Sequence, residues 1–157
     1  MDATRFLVTE DAGRLARWLR LLGYDTALAK NLSLSELYRK AYNEGRIVLT
    51  RNRRIGASSL FRVIQLQSQD FSEQLQQIRC ELRLPEQPVG LFSRCDRCNV
   101  PVEQIEKPQV EDRVPPYVYQ TQERFSRCPS CGRVYWKATH CASIRRVIDQ
   151  ACGGFHA

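Results

Sequence analysis

No apolar run in this 157-residue chain approaches the roughly 20 residues needed to span a bilayer, so a transmembrane helix is not expected. The opening residues Met1-Asp2-Ala3-Thr4-Arg5 lack the basic stretch and apolar core of a secretory signal, and a cytosolic protein is expected. An even cysteine count is also missing. Seven cysteines cannot all pair internally, which sets aside a complete disulfide framework. Internal repeats and low-complexity segments are absent too, so neither a repeat array nor a disordered tract is in view.

What remains is ordinary globular material, 43% hydrophobic and 26% charged, enough for one compact domain of about 100 residues plus a small module. The net charge of +7 is uneven. Residues 1–60 hold 11 Lys+Arg against 6 Asp+Glu, or +5, leaving +2 for the rest. A basic field concentrated in the first part suits nucleic acid, or a solvated face with no partner.

Arg5-Phe6-Leu7-Val8 reads as a strand ending at Thr9. Leu15, Trp18, Leu19 and Leu22 then mark one face of a helix stopped by Gly23, with Arg14, Arg17 and Arg20 expected in water opposite. Tyr24–Leu28 reads as a second strand. Ser33 and Glu36 form a capping box for a helix carrying Leu34, Leu37, Tyr38 and Ala41, closed by Gly45. Arg46–Thr50 and Phe61–Leu66 read as strands on either side of the basic loop Arg51-Asn52-Arg53-Arg54. Asp70 caps a further helix with Phe71, Leu75, Ile78 and Leu82 on its buried side. Strand and helix alternate throughout, which predicts an α/β fold with a parallel sheet flanked by helices.

Leu84–Gly90 breaks the pattern and serves as a linker, dividing a 1–84 α/β domain from a 91–157 module that ends in a short helix bearing Ile144, Val147 and Ile148. In that module Cys95-Asp96-Arg97-Cys98 and Cys128-Pro129-Ser130-Cys131 form two knuckles separated by 29 residues. Two such pairs supply four sulfurs for a tetrahedral, structural zinc, and a redox pair or buried thiols would not account for both. Val114–Tyr119 and Val134-Tyr135-Trp136 are read as its strands, with aromatics that either pack its small core or stack on bases. His140 suits a helix start, and Cys141 a free thiol.

Ligands of a parallel sheet collect beyond the carboxyl ends of its strands. Those positions hold Thr9, Glu10 and Asp11, then Thr50, Arg51 and Asn52, then Ser68 and Asp70, with Glu36 near the same rim. Converging oxygens there would suit Mg²⁺ or Mn²⁺ and a phosphodiester, although Glu36 and Asp70 equally serve as caps, and Glu10 and Asp11 as dipole partners. Arg51, Arg53 and Arg54, with Arg14 and Arg17, are candidate phosphate contacts.

The stretches Phe6-Leu7-Val8, Gly13 through Thr26 and Glu44 through Arg51 resemble the PIN-like RNase domain at the carboxyl end of the Mut-seven exonuclease. The resemblance continues through Ser93-Arg94-Cys95, Cys98-Asn99, Phe125, Cys128, Cys131, Tyr135-Trp136 and His140. It implies a PIN-like sheet, a zinc ribbon and metal-dependent ribonuclease activity. It also implies an aspartate where Thr9 stands and a Thr-Arg-Asp motif where Thr50-Arg51-Asn52 stands. Two carboxylates are therefore replaced, leaving Glu10, Asp11, Glu36 and Asp70 to hold Mg²⁺ or Mn²⁺. The expected function is RNA binding with a degenerate nuclease site, or a catalytically silent module for RNA, ribosomes or a protein partner.

Overall fold

The structure, a computed structural model, describes residues 3–85, 90–137 and 140–152, the side chains of 140–143 and 151–152 excepted. Its first part runs β1 (Arg5–Thr9), a short 3₁₀ turn (Glu10–Ala12), α1 (Gly13–Leu21), β2 (Asp25–Ala29), α2 (Leu34–Glu44), β3 (Ile47–Thr50), β4 (Val63–Gln65) and α3 (Phe71–Leu82). The four strands form one parallel sheet in the order β2-β1-β3-β4. Parallel neighbours are covered on both faces, and successive residues point to opposite sides. Phe6, Val8, Leu49 and Ile64 accordingly join the layer of α1 and α3, while Leu7 and Val48 face Leu37 and Ala41 of α2. The expected α/β class and parallel sheet are both present.

The alternation of strand and helix fails once. Between β3 and β4, residues 51–62 contain no helix. Arg51-Asn52-Arg53-Arg54 offers no apolar stripe to bury; Ile55 is drawn into the core beside Leu37 and Ala41, and Phe61 packs at its edge against Tyr38. Gln65 secures the crossover by donating from Nε2 to the carbonyls of Ile55, at 2.6 Å, and Asn52, at 3.3 Å.

The second part holds β5 (Glu103–Ile105), a 3₁₀ turn (Lys107–Val110), α4 (Pro116–Thr121), β6 (Phe125–Arg127), β7 (Val134–Trp136) and α5 (His140–Cys152). β5, β6 and β7 make a small antiparallel sheet over Val110, Val114 and Phe125. The strand expected at Val114–Tyr119 is instead the helix α4. Its two prolines explain the change: proline cannot donate to a ladder, and its fixed φ suits the first helical turn. α5 starts at His140 and lays Ile148 into the layer of Leu22, Leu75 and Ile78.

Arg14 and Arg17 of α1 are exposed, as the helical pattern suggested, and Arg20 is half-buried, but all three also have partners on the protein. Arg14 stacks 4.4 Å above the ring of Phe71, which itself stacks on Trp18. Arg17 and Arg20 reach across to the cysteine module. A close approach at the end of α1 makes this possible. Gly23 has φ +96, and a Cβ there would lie 2.5 Å from the carbonyl oxygen of Gly90.

Candidate metal centre and strand-end site

The two cysteine knuckles have the same hydrogen bonding. In the first, the amide of Cys98 points at the sulfur of Cys95 at 3.4 Å, the amide of Asn99 donates to the Cys95 carbonyl, and the Cys95 amide donates to Val100. In the second, Cys131 points at Cys128 at 3.4 Å, Gly132 donates to the Cys128 carbonyl, and Cys128 donates to Arg133. The residue after each pair takes the left-handed conformation, Asn99 at φ 62 and Gly132 at φ 75, residue types that accept it most readily. Sequence spacing thus becomes two matched turns aiming four sulfurs inward.

Those sulfurs lie within 4.8 Å of one another, and Cys95 and Cys131 Sγ are 3.8 Å apart. A Zn–S bond of about 2.3 Å gives a tetrahedral edge of about 3.8 Å, so the donor set fits one metal ion. Burial raises the Cys95 thiol, but the Tyr135 hydroxyl and the amides of Cys98 and Arg97 outweigh it and bring the value down to about 7. At Cys98 the Ser130 contact lowers the value, while the neighbouring Cys131 and Cys128 thiols and burial hold it up at about 11. Thiols this close resist ionising together, a conflict that a bound dication removes.

Asp96, between the first two ligands, ties this centre to the parallel-sheet unit. Its side chain is 2% exposed, accepts from Arg17 Nε at 2.7 Å and from the Tyr135 hydroxyl at 2.7 Å, and lies 3.6 Å from Arg133. Burial alone would raise its pKa, yet these partners hold it below the usual carboxylate range. Arg20 donates to the carbonyls of Asp96 and Arg97 at 3.0 Å each. Asn99 clamps the open edge of β2, accepting from the Thr26 amide at 2.9 Å and donating to Asp25 at 2.7 Å. Sequence reasoning missed Asp96, Asn99 and Tyr135 as a junction. A buried acid inside a Cys-x-x-Cys pair was the available signal.

At the strand ends, Thr9 and Thr50 are buried and bonded hydroxyl to hydroxyl at 2.9 Å, and Thr9 also donates to Asp11. The other Asp11 oxygen accepts from the Arg51 amide at 3.0 Å. Asn52 caps its own loop, taking the Arg54 amide at 3.0 Å. Asp11, Thr9, Thr50 and the Arg51 backbone therefore form one cluster, with the exposed side chains of Arg53 and Arg54 in the adjoining loop. Glu36 is occupied by the capping box of α2 and Asp70 by the cap of α3, while Glu10 is exposed. Among the described residues, the four cysteines are the one group of three or more metal-ligating side chains, and Glu10, Asp11, Glu36 and Asp70 do not form another.

Residues 4–148 match the Mut7-C RNAse domain, which covers both the parallel sheet and the cysteine centre. The chain belongs to the Mut7-C RNAse domain family. No curated protein and no solved structure matches it. Among the described residues of this family member, no helix is long and apolar enough to cross a membrane.

Proposed function

We propose that the protein binds RNA along the carboxyl edge of its parallel sheet, with a structural zinc in the cysteine centre and little or no capacity to cut. Membership of an RNase family over residues 4–148 carries the reading. The basic loop after β3 supports it, because Arg51, Arg53 and Arg54 follow directly on the strand end, where the Arg51 amide bonds to Asp11 in the turn that precedes α1. Arg14, held over Phe71, adds a cation at the amino end of that helix. Arg17 is engaged with Asp96, so its role toward RNA is secondary to its role in the junction.

The donors at the rim do not fit a hydrated Mg²⁺ or Mn²⁺ centre. Thr9 and Asn52 are neutral, and Asp11 already serves a hydroxyl and an amide. The cysteine centre fits zinc, with sulfur donors at all four positions and none open to a substrate, so the ion would organise the fold and not the reaction.

Retention of single-stranded RNA on a filter, measured against salt, tests the binding. Each lost phosphate contact lowers the slope by about 0.7, so replacing Arg51, Arg53 and Arg54 together by Ala reduces it by about 2. No retention at low salt overturns the reading. Incubation with manganese tests the chemistry: cleavage by the natural chain that disappears in Glu10→Ala/Asp11→Ala would establish the enzyme instead.

A further inference from the structure

A cavity of about 390 Å³ lies where α1, the first knuckle, β7 and α5 meet. Its size is that of a small-molecule site, for which roughly 300–1,000 Å³ is usual. The walls divide by chemistry. Arg17 and Arg133 supply two cations, Asp96 one buried carboxylate, and Phe92, Tyr135 and Trp136 three aromatic rings. Asp96 neutralises only one of the two guanidinium groups, and both remain partly open, Arg17 at 59% and Arg133 at 41% side-chain exposure. The indole N–H of Trp136 is buried without a hydrogen-bond partner among the described residues. Native proteins rarely leave such a donor unmet.

Two guanidinium groups at the mouth of an aromatic-walled hollow match the two halves of a nucleotide, an anion and a flat π-face. Arg17 also stands one helical turn from Arg14 on α1, so cations lead from the strand-end rim toward the cavity. We propose that this cavity receives one unpaired nucleotide of the bound RNA, its phosphate on Arg17 and Arg133 and its base against Trp136, Tyr135 or Phe92. The proposal rests on the RNA-binding reading and deepens it by placing a base-stacking site at the junction with the metal centre. The arrangement favours single strands, because a paired base cannot present its face.

The chain has two tryptophans, and Trp18 lies stacked on Phe71 away from the cavity. A Trp18→Phe protein, zinc-loaded and full length, therefore reports on Trp136 alone. Titration with a short oligoadenylate is expected to quench that emission saturably, and Arg133→Gln to weaken binding about tenfold, as loss of a charge-assisted hydrogen bond would. Trp136→Phe, checked for intact zinc content, should weaken single-strand binding while duplex binding stays as it was. RNA retention that depends on Arg51, Arg53 and Arg54, with Trp136 emission unmoved and affinity indifferent to Arg133→Gln, overturns the cavity proposal and leaves the rim reading standing. No retention of any RNA at low salt overturns both.

Discussion

Around the parallel sheet two full layers of buried side chains lie on opposite faces, from Phe6, Leu15, Leu19 and Leu49 on one side to Leu7, Val48 and Leu37 on the other, whereas the cysteine module buries Val110, Val114 and Phe125. Burial of a Leu or Phe side chain contributes about 1.5–3 kcal/mol, so the first unit is held by its core. Three such side chains, with five partly buried ones packed on them, barely offset the ordering of the module's loops. The second region must draw its stability from the ligand set, where a structural zinc contributes on the order of 10 kcal/mol. Chelation should therefore break one region and spare the other. Hydrogen exchange after metal removal is expected to lose protection over residues 95–136 while β1 and β3 stay protected, and elemental analysis of untreated protein should give one zinc per chain. Equal loss of protection in both regions would mean that the sheet also depends on the metal.

The converse experiment removes core and leaves sulfur. Leu49 is fully buried in β3, and Leu49→Ala should cost about 2–5 kcal/mol of unfolding free energy by urea titration, with zinc stoichiometry unchanged. A cost below about 1 kcal/mol would show that the sheet is not the source of its own stability.

These two means of support were not equally visible in the amino-acid order. The sheet could be read because burial leaves a periodic trace: Phe6-Leu7-Val8 and Ile47-Val48-Leu49 are continuous runs, as strands covered on both faces require. The metal centre could be read because thiolate geometry demands Cys-x-x-Cys twice. Where the reading failed, the deciding interaction was nonlocal or conformational. Val114–Tyr119 has β-branched and aromatic residues but also Pro115-Pro116, and the prolines prevailed. The bonds that Arg17 and Arg20 make could not be read locally because their partners, Asp96 and two ribbon carbonyls, lie more than 70 residues away. At the strand ends the sequence left Asp70 open between a cap and a site, and its side chain accepts from the amides of Ser72 and Glu73.

Where the two regions meet, Asp25 sharpens the contrast. It accepts from Arg46 at 2.8 Å within its own unit and from Asn99 at 2.7 Å across the junction. Burial works against its charge, but those two hydrogen bonds win and bring its pKa below the ordinary 3.8. A carboxylate depressed on folding stabilises the native state above its unfolded value, and that contribution is lost as pH falls through the folded value. Asp25→Asn should accordingly cost about 1–3 kcal/mol at neutral pH, the range for hydrogen bonds to a charged group. Denaturation at a series of pH values should show the gap between variant and natural chain begin to narrow as pH falls below 3.8 and close only below the lowered native-state value, where the wild-type carboxyl is protonated in both states. Cysteine protonation affects both proteins alike and cancels from the difference. A gap that does not vary with pH would mean that Asp25 acts through packing and not through its charge.

The smallest expected effect decides how Glu36 should be assigned. Its carboxylate accepts from the Ser33 amide at 2.7 Å, and the Glu36 amide donates back to the Ser33 hydroxyl at 3.3 Å. This backbone hydrogen bond lowers the Glu36 pKa, so the box is complete above the carboxylate range and opens as pH falls through it. Ser33→Ala removes one half of the box and should cost about 1 kcal/mol, read from a urea midpoint, with RNA retention unchanged. Glu36→Gln keeps the acceptor oxygen while removing the charge, and glutamine serves the same position in a capping box. If Glu36 only caps α2, this variant behaves as the natural chain in both stability and RNA binding. A metal ligand could not tolerate the change so quietly, because a neutral amide does little to balance a divalent cation. Loss of a manganese-dependent cleavage in Glu36→Gln, with the helix intact by circular dichroism, would move Glu36 from the scaffold into the site.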